Sequence, residues 1–413
     1  MSFPTPPTLK KIANLLSRPI YIVGGYVRNY LLFGETRSTD IDICGSLSYD
    51  ELKKELNGHA EIIPVNPRIG TVLIKADSDR YEYTTFRRDS YLSGGAHTPY
   101  KVEFVSTPEE DALRRDFKIN AIYYDVKNER ICDYLGGIDD LNARVISTAD
   151  RWQKTFGEDG LRLLRAARLA AQLGFKLSDE CLNGAKASAE LLADVSAERK
   201  REEFDLILNA DKKYGVASAH TAGMDLLAEI GLFEYLTPNT SPSFSRDRFL
   251  QNRETFAKSK HKRLAAFIWC VIGEEDPARF IEDALGINGL RYPNKTVEEV
   301  VFIVKALREI KDQATLKRYV AANPDLAPYI DELAVLAGNR AAAKCEETLE
   351  RLRAKDVPLS IKELNFSGYT LLKLRIPPKK RSVALKALLE KSITEERRLK
   401  EKETLDFLKG YSE

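Results

Sequence analysis

The chain has 413 residues, 43% of them hydrophobic and 31% charged, enough for about two to four domains at roughly 100–200 residues each, every one with its own core. That composition excludes wholesale disorder. With 64 Lys+Arg against 62 Asp+Glu the formal charge is +2, so any nucleic-acid footprint has to be a local patch. In chain order, Pro19–Val23 reads as a short apolar strand, Thr39–Ile43 as a second and Gly70–Ala76 as a third. The turn Asp77-Ser78-Asp79 leads into Arg80–Arg87, and Lys101–Val105 and Ala121–Asp125 follow as strands.

After about residue 150 strand signals nearly vanish. Asp159–Leu173 is a run of helix formers stopped by Gly174. Val297, Val300, Val301, Val304 and Leu307 form one stripe of a helix over Val297–Ile310, with a capping-box pattern at Thr296 and Glu299. Leu316–Ala322 and Ala342–Ala354 continue the helical pattern, and the strongly charged end, with Pro377-Pro378 before Lys379-Lys380-Arg381, reads as a small helical tail. Residues up to about 150 therefore read as an α/β or α+β head, and the remainder as helical.

Cys44, Cys132, Cys181, Cys270 and Cys345 are scattered without a CxxC pair, and the four histidines make no HExxH. Reduced, partly buried thiols in a cytosolic protein fit this better than a disulfide framework or a zinc site. The longest apolar run, Leu264–Ile272, is far shorter than the roughly 18–20 residues that span a bilayer. Met1–Lys11 has no apolar h-region, so neither membrane insertion nor secretion is expected.

Chemistry concentrates in the first half. In Val23-Gly24-Gly25-Tyr26-Val27-Arg28 two glycines stand where a strand runs into a helix; there the backbone can approach a ligand and helix N–H groups can hold phosphate, although such pairs are usually plain turns. Downstream lies Thr39-Asp40-Ile41-Asp42-Ile43. Strand alternation aims Asp40 and Asp42 at one face, about 7 Å apart, where Mg²⁺ bridging them to a nucleoside triphosphate relieves their repulsion. The plainer alternative is a solvated strand edge.

Gly24–Leu32 with Asp40-Ile41-Asp42 resembles the nucleotidyltransferase signature of the class II tRNA nucleotidyltransferase and bacterial poly(A) polymerase family. The resemblance continues at Arg114-Arg115-Asp116-Phe117-Lys118-Ile119-Asn120-Ala121, at Asp133–Gly137 through Asp140-Leu141, at Gly157–Arg165 and at Ser196-Ala197-Glu198-Arg199. Five motifs in family order over residues 22–205 make it highly specific; Asn29, where the family usually has aspartate, is the departure. It implies an α+β fold, a mixed-sheet head over residues 1–150 followed by a helical neck (151–212), body (213–340) and tail (341–413), with Asp40 and Asp42 as catalytic, Mg²⁺-binding residues and nucleotide contacts at Gly25, Arg28, Arg115, Asp159, Arg162, Arg165 and Arg168. Arg115 and Asp116 are then expected near the ribose, or else as a salt-bridge cluster closing the head.

Asp159 and Arg162, three apart on the expected helix, can face one ligand. A carboxylate accepting and a guanidinium donating match N4 and N3 of cytosine and N6 and N1 of adenine, whereas uracil and guanine reverse that pattern. Such a pair selects C and A without a template. By itself it reads more readily as an ordinary surface ion pair. Glu82 is a candidate third carboxylate, and Arg87–Pro99 with Ser93-Gly94-Gly95-Ala96 reads as a mobile loop, whose presence, by the family resemblance, disfavours CC-only addition. Basic patches at Arg199–Arg201, Lys258–Arg263 and Lys379–Arg381 are solvated faces or tRNA phosphate contacts. The expected function is template-independent CCA addition to tRNA from CTP and ATP, in the cytoplasm. The alternatives are A-only or CC-only addition, a poly(A) polymerase, or a catalytically silent RNA-binding protein of the same fold. The chain ends without a long basic extension, which disfavours the poly(A) polymerase.

Overall fold

The computed structural model describes residues 3–36, 40–91, 99–237, 244–273, 276–364 and 368–412. The chain divides into two compact units, Met1–Pro238 and Asn239–Glu413.

The first unit begins with α1 (Pro7–Leu15), β1 (Ile20–Val23), α2 (Gly25–Phe33), β2 (Asp42–Gly45) and α3 (Tyr49–Glu55). It continues through β3 (Glu61–Asn66), β4 (Thr71–Ala76), β5 (Asp79–Thr85), β6 (Arg87–Ser90), β7 (Lys101–Phe104), α4 (Pro108–Ala112), β8 (Ile122–Asp125), β9 (Arg130–Asp133) and α5 (Gly137–Ala143). Seven strands form one sheet in the order β3-β4-β5-β2-β1-β8-β9. β1 pairs antiparallel with both β2 and β8, and β2 runs parallel to β5, so the sheet is mixed. Tyr21, Val23, Cys44, Phe86 and Tyr123 pack beneath its centre.

Three differences from the expected strands have physical causes. The second strand starts at Asp42, not Thr39: its last partner is Val23, beyond which the chain turns at Gly24 (φ 82°) into α2, leaving Asp40 and Ile41 without a neighbour strand. Thr39 itself lies outside the described residues. Arg80–Arg87 is not one strand, because β6 leaves the main sheet to pair with β7 as a separate ribbon. β3 and β9 gave no sequence signal; they are the two edges of the sheet, and β3 contains Pro64, which an edge tolerates.

The unit continues with β10 (Val145–Ile146), α6 (Trp152–Glu158), α7 (Leu161–Leu173), β11 (Lys176–Leu177), α8 (Asp179–Ala187), α9 (Ala197–Leu208), α10 (Asp211–Tyr214), α11 (Ala219–Ile230) and α12 (Phe233–Leu236). Two residues of β10 pair with two of β11, a small sheet in an otherwise helical region. Asp133 explains the glycines of its motif: its carboxylate accepts the N–H groups of Leu135, Gly136, Gly137 and Ile138. A Cβ on Gly137 would lie 2.4 Å from the Lys118 carbonyl oxygen.

In the second unit every described element is helical: α13 (Arg246–Lys258), α14 (Arg263–Val271), α15 (Pro277–Leu285), α16 (Asn294–Glu309), α17 (Gln313–Ala322), α18 (Ala327–Leu336), α19 (Cys345–Ala354), α20 (Gly368–Lys373), α21 (Pro378–Thr394) and α22 (Glu401–Lys409), with short 3-10 turns between. α16 starts behind Pro293, so Thr296 falls inside its first turn and caps nothing; Glu299 pairs instead with Lys262. The expected stripe is present, with Val297, Val300, Val304 and Leu307 buried.

Candidate active site

The register of β1 on β2 sets Val23 against Asp42, and so brings the Gly24 turn beside the acid. Gly24 has φ 82° and a Cβ there would meet Asp42 Oδ2 at 3.8 Å; one on Gly25 would meet Arg28 Nη2 at 3.4 Å. The two glycines keep open a cleft of about 560 Å³ that Asp40, Asp42, Gly25, Arg28, Arg115, Asp159, Arg162, Arg165 and Arg168 all line. Crowding around Asp42 raises its pKa above the usual carboxylate range; Arg115 opposes the rise and the nearby Asp40 adds to it. Among the described residues no three His, Cys, Asp or Glu side chains converge into a preformed cage for a metal ion. Glu82 pairs with Asp42 in the parallel ladder; it is exposed and is not among the residues lining the cleft.

Eight cationic side chains line the cleft against four carboxylates, which suits a polyanion. A buried carboxylate, Asp111, organises part of this charge. It accepts hydrogen bonds from Arg114 Nε (2.8 Å), Arg115 Nη2 (3.1 Å), the Tyr123 hydroxyl (2.8 Å) and the Arg87 backbone N–H (3.2 Å). These donors outweigh the cost of burial and hold its pKa below the usual range. Asp116 accepts from the Phe117 N–H and Asn120 Nδ2 on one oxygen and twice from Arg165 on the other. That fills the roughly four acceptor positions of a carboxylate, so Asp116 belongs to the salt-bridge cluster rather than to a ribose contact.

The helix expected over Asp159–Leu173 is interrupted. Asp159 is extended (φ −152°, ψ 105°) and α7 begins two residues later. Gly160 sits so close to the 189–192 turn that a Cβ would lie 2.3 Å from the Leu191 carbonyl oxygen. Asp159 and Arg162 therefore share the cleft without sharing a helix face. Asp159 is held by Arg199, whose Nη1 donates to Oδ1 (3.1 Å) and Nη2 to Oδ2 (2.8 Å), while the Leu161 N–H donates to Oδ1 (3.1 Å). Of about four acceptor positions on a carboxylate, one remains, on Oδ2. Arg162 gives Nη1 to the Thr155 carbonyl and to Glu158, and Nη2 to the Arg114 carbonyl. Of a guanidinium's roughly five N–H groups, Nε–H and one on Nη2 remain. One acceptor and two donors are what the N4-H and N3 edge of cytosine, or the N6-H and N1 edge of adenine, would meet. Farther along α7, Arg165 pairs with Asp116 and Arg168 with Glu203.

Residues 20–147 match the family described as the poly A polymerase head domain, and residues 174–244 one described as a probable RNA and SrmB-binding site of polymerase A. A CCA-adding enzyme of Geobacillus kaustophilus is 31% identical over 86% of this chain and 83% of its own length. One of Bacillus cytotoxicus is 33% identical over 70% and 68%. The chain belongs to the CCA-adding enzyme family. A crystal structure of the Bacillus stearothermophilus CCA-adding enzyme in complex with CTP matches with a TM-score of 0.74 and 26% identity, over 98% of this chain and 97% of that one.

In the basic patch at Arg199–Arg201, read from sequence as a solvated face or a tRNA phosphate contact, two side chains are engaged within the protein. Arg199 binds Asp159, and Lys200 is buried with its Nζ on the Tyr235 carbonyl, burial lowering its pKa to about 8. In the second patch His261 meets Glu332 at 2.7 Å and Arg263 is buried; Lys379 and Lys380 are exposed. Sequence reasoning missed Asp111, Asn120 and Tyr214 as parts of the cleft wall and its support. Asn120 lies inside the quoted Arg114–Ala121 motif, between Ile119 and Ala121, where an amide amid apolar neighbours was the available signal; Asp111, behind Glu109 and Glu110, gave none. The loop reading at Arg87–Pro99 falls mainly on residues 92–98, outside the described residues. The five cysteines are free and buried. Among the described residues no helix is long and apolar enough to cross a membrane.

Proposed function

We infer that this protein is a tRNA nucleotidyltransferase that adds CCA to the 3′ end of tRNA from CTP and ATP, releasing pyrophosphate without a nucleic-acid template. The observation that carries the reading is the residual hydrogen-bonding capacity of Asp159 and Arg162, one acceptor beside two donors in a polycationic cleft. Uracil or guanine there leaves buried polar groups unmatched, at about 1–3 kcal/mol each.

In this reading the RNA 3′-OH attacks the α-phosphorus and pyrophosphate leaves. Asp40 and Asp42 are the catalytic pair and the ligands of Mg²⁺. Two hard, accessible carboxylates whose charges repel fit an ion that keeps several waters and is shared with substrate phosphates. When bound there, Mg²⁺ supplies Lewis-acid activation of the hydroxyl and neutralises the leaving phosphates. Gly25 lets the triphosphate approach the start of α2, Arg28 and Arg115 pair with its charge, Asp159 and Arg162 read the base, and Arg165 and Arg168 border the nucleotide. Glu82 neighbours Asp42 in the ladder but lies outside the cleft lining, so the hydroxyl proton passes to water. Residues 1–150 serve as catalytic head, 151–212 as base-reading neck, 213–340 as body and 341–413 as tail contacting tRNA. A cytoplasmic location accords with the five free thiols.

The test supplies Mg²⁺, labelled CTP and ATP, and tRNAs ending either at the discriminator base or at CC. Addition of both nucleotides to the first tRNA is expected. Incorporation of A alone, and only onto the CC-ended tRNA, overturns the assignment in favour of an A-adding enzyme.

A further inference from the structure

Arg28 is 5% exposed, and its hydrogen-bond partners are neutral. Nη1 donates to Asn120 Oδ1 (2.6 Å), Nε and Nη2 donate to Asn29 Oδ1 (3.2 and 2.9 Å), and Nη2 also donates to the Tyr214 hydroxyl (2.9 Å). Among the described residues no carboxylate lies within ion-pair distance of it. The nearest acid, Asp116, acts on it only through space and through Asn120, and its own carboxylate is bound to Arg165. A buried guanidinium without a counter-charge is expensive to hold, and burial lowers its pKa. The arrangement keeps its charge ready for an anion that enters the cleft.

Asn29 is the centre of this cage. It is 2% exposed, and its Oδ1 also accepts from the Tyr214 hydroxyl (3.2 Å). The amide orientation is fixed by its neighbours, since the opposite one would set N–H groups against the guanidinium. Nδ2 then donates to the Thr36 carbonyl (2.9 Å), four residues ahead of Asp40. A carboxylate in that place would cancel the charge of Arg28 in advance and could not donate to Thr36.

We propose that Asn29 is a positioning residue whose neutrality presents Arg28 to the polyphosphate of the incoming nucleotide as an uncompensated cation. The proposal rests on the reading that Arg28 meets the triphosphate. Under it, an aspartate at position 29 weakens binding of every ligand that carries the polyphosphate and leaves base recognition untouched.

The experiment measures equilibrium binding of CTP with Mg²⁺, binding of cytidine, and inhibition by inorganic pyrophosphate, on the intact protein. Arg28→Met tests the underlying reading: it is expected to weaken CTP and pyrophosphate by roughly tenfold or more and to leave cytidine unchanged. Asn29→Asp is expected to weaken the same two by about three- to tenfold, and Asn29→Ser, neutral but smaller, by less. No effect of Arg28→Met removes the reading of Arg28. An effect of Arg28→Met with Asn29→Asp like wild type, or equal losses in the aspartate and serine variants, overturns the proposal. Tyr214→Glu against Tyr214→Phe repeats the charge comparison on a less buried partner, should Asn29→Asp fail to fold.

Discussion

Replacing Asp159 by Asn tests the base-reading site with almost no change of shape. In the native site Oδ1 takes Arg199 and the Leu161 N–H, and Oδ2 takes Arg199, leaving one lone pair for the base. An amide has a single acceptor oxygen. Arg199 and the Leu161 N–H draw that oxygen to themselves, which turns the NH₂ toward the cleft and offers a donor where C and A need an acceptor. Losing a hydrogen bond to a charged acceptor costs about 1.5–3 kcal/mol, so kcat/KM for CTP and for ATP should each fall roughly 10- to 150-fold, at about 1.4 kcal/mol per factor of ten. UTP, whose O4 accepts at the corresponding position, should lose little, and the CTP:UTP preference should shrink by the same order. Single-nucleotide incorporation onto tRNAs ending at the discriminator base and at CC measures this. A CTP:UTP ratio within about twofold of wild type, in a folded variant, would refute the assignment of Asp159 to the base.

Asp42→Ala should lower kcat roughly a thousandfold, several kcal/mol of lost charge stabilisation. Because crowding by the cleft walls and Asp40 already disfavour its charged form, the thermal midpoint should stay level or rise; a falling midpoint with intact turnover contradicts both points. Gly160→Ala forces a Cβ to within 2.3 Å of the Leu191 carbonyl oxygen and should destabilise the protein by about 1–3 kcal/mol while displacing Asp159. Gly157→Ala, with nothing within 4 Å of its Cβ, is the control and should be neutral or mildly stabilising in denaturant titrations. In the second unit Glu396 gathers Lys317 (2.9 Å), Arg351 (3.3 Å) and Lys355 (2.6 Å). Their hydrogen bonds, that of Lys355 foremost, depress its pKa to about 2. Its ion pairs stabilise the fold in full above the ordinary Glu pKa and lose that contribution as pH falls toward 2. Glu396→Gln should therefore cost about 1 kcal/mol near neutrality, and the gap should narrow between pH 4.5 and 2; a gap constant with pH would sever the effect from this charge.

The local pattern of the chain was enough to indicate a strand-and-helix head, the helices that follow it, and the Asp40–Asp42 and Asp159–Arg162 pairs, whereas most other cleft residues came from the family resemblance. Alternation marks half-buried strands, a heptad-like stripe marks helices, and glycines at φ > 0 mark turns, all of which are properties of neighbours in sequence. The partnerships were decided only in three dimensions. Strand pairing ends β2 at Asp42 and leaves Asp40 ahead of it. Packing of Gly160 against Leu191 breaks the helix and lifts Asp159 out of it. Arg199 and Lys200, a charge run in the sequence, divide between a carboxylate in the cleft and the Tyr235 carbonyl. An ion pair depends on which side chains reach each other across elements far apart in the chain, and that distance is written by the folded backbone rather than by sequence spacing.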